Sequence, residues 1–434
     1  MSRFLVKNFG CRTTQADGAV IERQLTLAGM SAARTTSEAD LVVLNTCTVT
    51  ASADDDARNA VRRVHRENPA ARILVTGCYA QRAPETLAAL PGVTWVVGNT
   101  HKARIAAIVG DESDGAPCHG QIHVGDILAE RGLLAVPLAE AGRDRTRPNL
   151  KIQDGCNNRC TFCIIPSVRG RSRSAHPDAV VEQVRDLAKY HREVVLSGIN
   201  LGRWGREPAL RMRLSELVKR ILDETDIERL RLSSVEPMDL SDDLLRLMAS
   251  SPRMAQHVHA PLQSGSDAVL RRMRRWYRAR HYASRVERAR SWMPDAAIGA
   301  DVLVGFPGET DEEFEETRRL IEQLPFTYLH VFTYSARPGA PAAEMPDQTP
   351  WPVRKERNRV LRELAAAKNL EFRRRFAGRT LSAVTLSQDR RALSSNYIEI
   401  ELAAPREPNR IVEVAVGGPT NKGVRERSPL PVLP

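Results

Sequence analysis

QDGCNNRCTFCIIP, residues 153–166, decides the fold because it gathers Cys156, Cys160 and Cys163 into one segment that follows a predicted strand. A structural zinc site normally uses two close cysteine pairs or closes with a further Cys or His. Here no second close pair exists, and His176 is thirteen residues beyond the last cysteine. Thiolates also select iron–sulfur clusters, and a cluster held by three cysteines leaves one iron open. We therefore interpret these cysteines, the central triad, as an iron–sulfur site with an open position.

Residues 149–345 predict a partial barrel around the central triad. Short apolar strands alternate with amphipathic helices, and the predicted strands are LKIQ, EVVLSG, RLRLSS, HVHAP, IGADVLVGF and YLHVFTY. These six strand–helix units fit a six-stranded parallel barrel better than the full eight-stranded form. The triad follows the first strand, on the loop face where such barrels place their chemistry.

Residues 1–110 predict an open parallel α/β sheet with cysteines at one edge. The predicted strands are RFLVKNF, LVVLNT, RILVTG and TWVVGN, with amphipathic helices between them. Cys11, Cys47 and Cys78, the N-terminal triad, each follow one of the first three strands. Because the carboxyl ends of parallel strands meet at one edge, we expect these three thiols to converge.

The rest of the chain predicts a linker, a long helix and a small β domain. Residues 111–148 are polar and rich in turn formers, and their Cys118 is interpreted as a spare thiol. Residues 346–376 predict a basic linking helix. Residues 377–434 contain TLSAVTL, NYIEIEL and RIVEVAVG, alternating strands that favour a small nucleic-acid-binding β-barrel. A sheet that only packs on the main body is the alternative.

The basic charge predicts a polyanionic partner. The chain has 64 Lys and Arg against 53 Asp and Glu, a formal net charge of +11 and a pI near 9.6. Nucleic acid is the commonest such partner, and the arginines and aromatics of RRMRRWYRAR (271–280) suit the phosphates and unstacked bases of an RNA loop. We predict RNA contacts for Arg274, Arg275 and Arg278. Alternatively, the aromatic residues are core and the arginines line a solvated helix face.

No segment predicts export or membrane insertion. The start, MSRFLVKNFG, lacks the basic-then-apolar layout of a secretory signal. No apolar run approaches the roughly 18 residues that span a bilayer. Cysteines in a cytoplasmic chain of this length are more often ligands or catalysts than disulfides. We expect a cytoplasmic protein that acts as a monomer.

C-x₃-C-x₂-C after the first strand of a parallel barrel resembles the signature of the radical S-adenosylmethionine enzymes. SSVEP (233–237), PLQSGSD (261–267) and DVLVGFPGET (301–310) resemble one subgroup, the methylthiotransferases. So do NFGCRTTQAD, LNTCTVT and VTGCYAQ around the N-terminal triad. The resemblance implies that S-adenosylmethionine chelates the open iron of a 4Fe–4S cluster and yields a 5′-deoxyadenosyl radical. It also implies a second 4Fe–4S cluster on the N-terminal triad, which binds the sulfur to be transferred, and a C-terminal RNA-binding TRAM domain.

The resemblance further implies where S-adenosylmethionine binds. Phe162 fits the aromatic position that packs against adenine, and Ser197, Gly198 and Asn200 stand where the family contacts the amino-acid moiety. Barrel-end positions make three further residues plausible cofactor contacts: Ser234, Glu236 and Gln263. Hydrogen bonds that only cap loops are the alternative for these residues. His257 and His259 alternate along one strand, so both face one side, and neither is assigned a ligand role.

LKIQDGCNNRCTFCIIPSVRGRSRS, LRRMRRWYRARHY and VFTYSARPGAPAAEMPDQTP resemble the methylthiotransferases that act on threonylcarbamoyladenosine in tRNA. The expected reaction is methylthiolation at C2 of that base beside the anticodon. The carboxylate of the threonylcarbamoyl group needs a cationic contact. The candidates for it are Arg169, Arg171, Arg173 and Arg337. Isopentenyladenosine in tRNA and an aspartate of a ribosomal protein are the alternative substrates.

The implied partners are the anticodon loop of tRNA and a one-electron reductant such as flavodoxin or ferredoxin. A non-catalytic iron–sulfur protein that binds RNA or transfers electrons is the rival class. That rival accounts for the clusters and the charge but not for an open position in each cluster. A zinc-stapled RNA-binding protein is a weaker option, and elemental analysis would decide it.

Overall fold

The computed structural model describes residues 2–111, 120–133, 146–386 and 390–427. Cys118 lies outside these ranges. Within them, no helix has both the length and the low polarity that crossing a bilayer requires.

The N-terminal part is an open sheet of six parallel strands in the order β2-β1-β3-β4-β5-β6. Its strands are β1 Arg3–Asn8, β2 Ser31–Ala32, β3 Leu41–Thr46, β4 Arg72–Gly77, β5 Val93–Val97 and β6 Gln121–His123. Its helices are α1 Arg12–Leu27, α2 Ala51–Glu67, α3 Cys78–Arg82, α4 Pro84–Ala88 and α5 Ile105–Gly110. The predicted open parallel sheet is confirmed. The two edge strands, β2 and β6, are not among the predicted ones, and β6 lies inside the expected linker.

The sequence forms this sheet because both of its faces are covered. All six residues of β3, LVVLNT, are buried, as expected of a strand between two helix layers. Helix α2 begins where the Thr50 hydroxyl accepts a hydrogen bond of 3.2 Å from the N–H of Ala53. Ala57, Val61 and Val64 recur at helical spacing along α2 and pack into one core layer. The order β1-β3-β4 brings the three strands that carry the N-terminal triad side by side.

The central part contains six parallel strands, as predicted, with one short antiparallel strand at an edge. Its strands are β7 Asn149–Asp154, β8 Arg173–Ser174, β9 Glu193–Gly198, β10 Arg229–Leu232, β11 His257–His259, β12 Ala297–Val304 and β13 Tyr328–Thr333. Its helices are α6 Ile165–Arg169, α7 Pro177–Ala188, α8 Leu214–Glu224, α9 Asp242–Ser250, α10 Asp267–Arg272, α11 Ala279–Trp292 and α12 Asp311–Gln323.

The central strands form two sheets, β10-β9-β7-β8 and β11-β12-β13. They meet at β10 and β11, where the N–H of Val235 donates to the carbonyl of His259 at 2.9 Å. One continuous apolar core joins both sheets to their helices. The two sheets therefore form one partial barrel, and its open end faces the N-terminal sheet.

The C-terminal part is a long helix followed by a closed β-barrel in the order β14-β15-β16-β18-β17. The elements are α13 Trp351–Arg374, β14 Thr380–Thr385, β15 Arg391–Ser394, β16 Glu399–Glu401, β17 Ile411–Pro419 and β18 Val424–Glu426. Phe372 and Phe376 at the end of the helix pack against Ile400, Val414 and Val424 inside the barrel. The barrel is therefore complete within the described residues, although only three of its strands are predicted from the sequence.

A buried ionic contact attaches this small barrel to the central one. Arg231 on β10 donates to the carboxylate of Glu193 on β9 at 2.7 Å and to the carbonyls of Ser394 and Ser395 at 3.1 Å. The loop that continues from Ser395 carries Tyr397, which adopts a left-handed backbone with φ of +64°. This loop, between β15 and β16, contacts the central strands, where the Tyr397 ring stacks on His257 at the start of β11.

Candidate active site

The central triad lies in the loop between β7 and α6, where backbone and side-chain N–H groups point at its sulfurs. The N–H of Asn158 donates to Cys156 Sγ, and the N–H of Ile165 donates to Cys163 Sγ, each at 3.4 Å. Arg275 Nη1 donates to Cys160 Sγ at 3.4 Å. Such N–H···S contacts surround thiolates that hold iron–sulfur clusters and help to set their potentials.

Burial raises the pKa of the Cys163 thiol to about 12 and also raises the pKa of Cys156. These thiols are therefore neutral at physiological pH unless a cation replaces their protons. An iron–sulfur cluster supplies that positive charge. Three soft ligands, the N–H donors around them and an adjacent cavity together fit a cluster with one open position.

The N-terminal triad converges at the edge formed by β1, β3 and β4. Gly10, with φ of +107°, lets the loop before Cys11 approach Cys47, since a Cβ there would lie 2.6 Å from the Cβ of Cys47. Burial, together with the charges of Cys78 and Cys11, raises the pKa of Cys47 to about 12. Cys11 is exposed, whereas the other two are buried. This donor set fits a second cluster whose exposed side is the side of Cys11.

A buried ionic network stands behind the N-terminal triad and joins it to the first strand of the central part. Asp17 pairs with Lys102 at 2.8 Å and with Lys151, and Lys151 pairs with Asp154 at 2.9 Å. Arg169 pairs with both carboxylates at 3.0 Å. Three cations face two carboxylates, so one positive charge is left over beside the triad. Although burial opposes ionisation, these cations hold the pKa of both carboxyl groups below their usual range.

One cavity of about 550 Å³ lies between the two triads. All three cysteines of the central triad line it, and Cys11 of the N-terminal triad lines it from the other side. Its wall includes residues of the N-terminal sheet, the central strands and the C-terminal barrel, among them Arg12, His257 and Tyr397. The expected convergence of strand ends thus produces a single chamber that both triads border.

Comparisons with known proteins identify the family. A family model described as "Radical SAM superfamily" matches residues 150–321, and one described as "Uncharacterized protein family UPF0004" matches residues 3–98. The chain is 36% identical to the threonylcarbamoyladenosine tRNA methylthiotransferase MtaB of Aquifex aeolicus over 94% of this chain and 99% of that one. The chain belongs to the radical S-adenosylmethionine methylthiotransferases.

Other methylthiotransferases are nearly as similar. The chain is 38% identical to MtaB of Bacillus subtilis, over 88% of this chain and 85% of that one. It is 34% identical to the tRNA-2-methylthio-N(6)-dimethylallyladenosine synthase of Thermobifida fusca, over 95% of this chain and 83% of that one. Membership in this family gives the chain S-adenosylmethionine and an iron–sulfur cluster as cofactors.

A solved structure shares the fold. It is that of TsrM from Kitasatospora setae, a radical S-adenosylmethionine methyltransferase with cobalamin and a [4Fe-4S] cluster bound. The two chains superpose with a TM-score of 0.56 and 17% identity, over 79% of this chain and 77% of that one. At this identity the likeness shows a common fold and nothing about the substrate.

In this methylthiotransferase, most residues predicted to contact S-adenosylmethionine line the cavity. They are Phe162, Gly198, Ser234, Glu236 and Gln263. Asn200 lines it too, and its Nδ2 lies 3.7 Å from Cys156 Sγ. Ser197 does not line it, because its hydroxyl is buried and donates to the carbonyl of Leu150 on the neighbouring strand β7 at 3.3 Å.

The three arginines predicted to bind RNA do not form one surface. Arg274 and Arg278 are exposed in the turn between α10 and α11. Arg275 is turned inward, with 5% of its side chain exposed, and pairs with Glu236 as well as with Cys160. The expectation for Arg275 therefore needs correction, since a guanidinium held by a carboxylate and a cluster ligand is not available to phosphate. Trp276 is 80% exposed, whereas Tyr277 belongs to the core.

The four arginines proposed for the substrate carboxylate lie elsewhere. Arg169 is buried in the network behind the N-terminal triad, and Arg337 is buried against Asp54 and Thr48. Arg171 and Arg173 lie after the central loop and do not line the cavity. None of the four arginines therefore lines the cavity between the triads.

The cavity also has an aromatic wall that was not predicted from the sequence. The ring of His257 stacks on that of Tyr397 at 4.4 Å and on that of Tyr328 at 6.0 Å. Burial lowers the pKa of His257 well below its usual value, and the positive charge of Arg231 lowers it further. This imidazole is therefore a neutral stacking surface. The alternation of His257 and His259 is the one signal in the sequence that points to it.

A hydrogen-bonded group of polar residues completes this wall. Asp301 Oδ1 lies 3.3 Å from His259 Nε2 and 3.1 Å from His330 Nδ1. Burial opposes ionisation of Asp301, but the two adjacent imidazoles, of which His330 is hydrogen-bonded to it, hold the pKa of its carboxyl well below its usual range. The wall therefore offers both a flat apolar surface and polar groups, a combination that suits a nucleobase.

Proposed function

We propose that this methylthiotransferase adds a methylthio group to C2 of N6-threonylcarbamoyladenosine, next to the anticodon of tRNA. One observation carries the proposal: both triads border the same cavity. A base in that cavity can face the cofactor at the central triad and the sulfur-bearing site at the N-terminal triad without moving between them. The rival class, an iron–sulfur protein that only binds RNA or transfers electrons, has no need for such a shared chamber.

The residues divide between the two ends of the cavity. At one end the central triad holds the first 4Fe–4S cluster, and Phe162, Gly198, Ser234, Glu236 and Gln263 contact S-adenosylmethionine. Bound there, S-adenosylmethionine would supply, from two equivalents, the methyl group and a radical able to take the hydrogen from C2, an aromatic C–H that no side-chain base could deprotonate. At the other end the N-terminal triad holds the second 4Fe–4S cluster, which supplies the sulfur. Arg275 holds Glu236 and Cys160 in position at the central-triad end of the cavity.

The relatives support this substrate. Proteins named for threonylcarbamoyladenosine are 36% and 38% identical to the chain, and one named for dimethylallyladenosine is 34% identical. These values are close, so the chemistry of the N6 substituent is the better guide to the substrate. The threonylcarbamoyl group carries a carboxylate, which needs cationic or multiple hydrogen-bond donors, whereas an isopentenyl group needs only apolar walls. The cavity has polar and cationic residues at the end that faces the N-terminal triad.

The remaining partners follow from the charge and the fold. The closed C-terminal β-barrel is proposed to be a TRAM-like RNA-binding domain, and exposed Arg274 and Arg278 to contact phosphates of the anticodon arm. A flavodoxin or ferredoxin is the proposed electron donor. We further propose the division 1–110, 111–148, 149–345, 346–376 and 377–434, and a cytoplasmic monomer.

Anaerobic reconstitution tests the proposal. We expect about eight irons per chain, the content of two 4Fe–4S clusters, and reductive cleavage of S-adenosylmethionine. The reconstituted protein is then incubated with tRNA that carries either threonylcarbamoyladenosine or isopentenyladenosine, and the nucleosides are analysed by mass spectrometry. A methylthio product from the first tRNA alone is the expected result. Product from the second tRNA alone would overturn the substrate, and iron without cofactor cleavage would favour the rival class.

A further inference from the structure

We infer that Arg12 forms the subsite that binds the carboxylate of the substrate's N6 substituent, an inference that rests on the proposed function. Arg12 directly follows Cys11 in the chain and lines the cavity beside it. Its Nη2 donates a hydrogen bond of 2.8 Å to the hydroxyl of Tyr397, and its guanidinium carbon lies 5.9 Å from the centre of that ring. The side chain is thereby held at the junction of the N-terminal sheet and the C-terminal barrel.

The charges around the cavity distinguish Arg12 from its neighbours. Arg275 is paired with Glu236, and His259 and His330 share Asp301. Among the residues that the structure describes, Arg12 has no carboxylate within ion-pairing distance.

The nearby buried carboxylate of Glu193 does not neutralise Arg12 either, because other arginines share it. Arg147, Arg229 and Arg231 all lie within 3.8 Å of a single buried carboxylate, that of Glu193. This side of the cavity therefore carries an excess of positive charge. Of these four arginines, Arg12 is the one that lines the cavity. A partly buried cation without a counter-ion is well suited to bind an anion, because its attraction is weakly screened there.

The position of Arg12 also matches the shape of the substrate. In N6-threonylcarbamoyladenosine, the ring atoms C2 and C6 flank N1, and the carboxylate is attached through the urea to N6, the exocyclic nitrogen on C6. If C2 faces the N-terminal triad, the substituent lies beside the same edge of the sheet. An arginine that is the chain neighbour of Cys11 can then reach the carboxylate while the base stacks on His257 and Tyr397. A planar guanidinium binds a carboxylate through two parallel hydrogen bonds.

The test uses an anticodon stem-loop RNA that carries threonylcarbamoyladenosine and the same RNA with the carboxyl group converted to a primary amide. The Kd of each RNA for the reconstituted protein with S-adenosylmethionine is measured at one salt concentration, together with kcat/KM for methylthiolation. The wild-type protein should prefer the carboxylate by about 10- to 100-fold, the range for hydrogen bonds to a charged group. Arg12→Gln should abolish this preference while cofactor cleavage continues, and Arg12→Lys should retain part of it.

Two further variants separate charge recognition from a loss of structure. Arg58 makes a similar contact outside the cavity, since its Nη1 donates to the Tyr79 hydroxyl at 2.6 Å and its guanidinium carbon lies 5.9 Å from that ring. Arg58→Gln should therefore keep the wild-type preference. Tyr397→Phe removes the hydrogen bond between the two domains but leaves the guanidinium, and should also keep the preference for carboxylate over amide.

The possible results have different meanings. An unchanged carboxylate-to-amide ratio in Arg12→Gln would overturn the inference but leave the proposed function standing. Loss of the ratio in Tyr397→Phe as well as in Arg12→Gln would overturn it too, because the domain contact would then account for the effect. A wild-type protein that methylthiolates isopentenyladenosine and not threonylcarbamoyladenosine would overturn the proposed function itself. Loss of the preference in Arg12→Gln, with Arg58→Gln unaffected, is the expected result.

Discussion

Arg169 Nε donates a hydrogen bond of 3.2 Å to Cys78 Sγ, so a residue at the end of the central cysteine loop contacts a member of the other triad. The rest of its guanidinium is held by Asp17 and Asp154. The pKa of Arg169 is raised well above its usual value because, although burial opposes charge, these carboxylates and Cys78 stabilise the cation. The contact couples the two halves of the site by a charge that cannot be removed by pH.

We expect Arg169 to tune the cluster that we propose for the N-terminal triad. Hydrogen bonds to cluster sulfurs raise reduction potentials. Arg169→Lys keeps a positive charge but removes the N–H donor from Cys78. The midpoint potential of the N-terminal cluster in this variant should fall by roughly 60 mV, the one-electron equivalent of about 1.4 kcal/mol. Potentiometric titration followed by electron paramagnetic resonance measures it, and Arg171→Lys, an exposed change in the same loop, is the control. Equal potentials in both variants would contradict a tuning role.

Each cysteine of the central triad should be indispensable for radical formation. Replacing one of them by alanine leaves an iron without a protein ligand, so the cofactor-binding iron is no longer unique. The formation of 5′-deoxyadenosine, measured by chromatography, should fall to the background of cluster-free protein for Cys156→Ala, Cys160→Ala and Cys163→Ala. Cys118→Ala is the matched control and should be unaffected. Cleavage at the wild-type rate in any triad variant would remove the basis of the assignment.

Variants of the N-terminal triad should separate radical formation from sulfur transfer. Their proposed cluster holds the sulfur and lies across the cavity from the central triad. Cys11→Ala, Cys47→Ala and Cys78→Ala should therefore still cleave S-adenosylmethionine but yield no methylthio nucleoside. Both products are measured in the same reaction by mass spectrometry. If methylthiolation survived all three changes, the two-cluster proposal would fail.

Glu193 should stabilise the attachment of the C-terminal barrel. It is fully buried and pairs with Arg231 at 2.7 Å and with Arg147 at 3.3 Å. Burial opposes its ionisation, but the arginines lower the pKa of its carboxyl below the usual value. Glu193→Gln leaves buried cations uncompensated, so the free energy of unfolding should fall by about 3–5 kcal/mol. Glu228→Gln, which breaks the exposed pair with Arg192, should cost less than about 1 kcal/mol.

The difference in stability between wild type and Glu193→Gln depends on pH with a definite sign. The folded-state pKa of Glu193 lies below its unfolded value, so its stabilisation is fully present above the unfolded pKa of about 4.3. It is lost as pH falls through the folded-state pKa. The gap between wild type and Glu193→Gln, measured by thermal unfolding, should be constant near neutrality and shrink below pH of about 4. A gap that widened with acid would show that another group carries the effect.

The exposed arginines of the turn before α11 should contribute to RNA affinity, and Arg275 should not. Each phosphate contact adds roughly −0.7 to −0.9 to the slope of log K against log salt. Arg274→Gln combined with Arg278→Gln should therefore make the slope shallower by about 1.5. Arg275→Gln should leave the slope unchanged but lower cofactor cleavage, because it frees Glu236 and Cys160. If Arg275→Gln also made this slope shallower, Arg275 would contact RNA after all.

The sequence by itself determined the order of parts and the two cysteine sets. Period-two and period-3.6 apolar patterns are local, so they predicted the main strands of the two parallel sheets and the helix before the C-terminal barrel. Strand ends of a parallel sheet share an edge, which allowed distant cysteines such as Cys11 and Cys78 to be placed together. Short or irregular strands, such as β2, β6 and β18, carry too few residues to produce a pattern.

Only the tertiary structure decided which side chains face the cavity. Arg12 and Tyr397 are 385 positions apart, and nothing local in the sequence signals that they meet. The inward direction of Arg275 and the burial of Arg169 depend on carboxylates supplied by other elements, Glu236 and Asp17. A charged side chain takes the direction in which its charge is best compensated, and that compensation is a property of the packed chain. Arginine-rich sequence therefore predicted charge, and the fold determined where each charge acts.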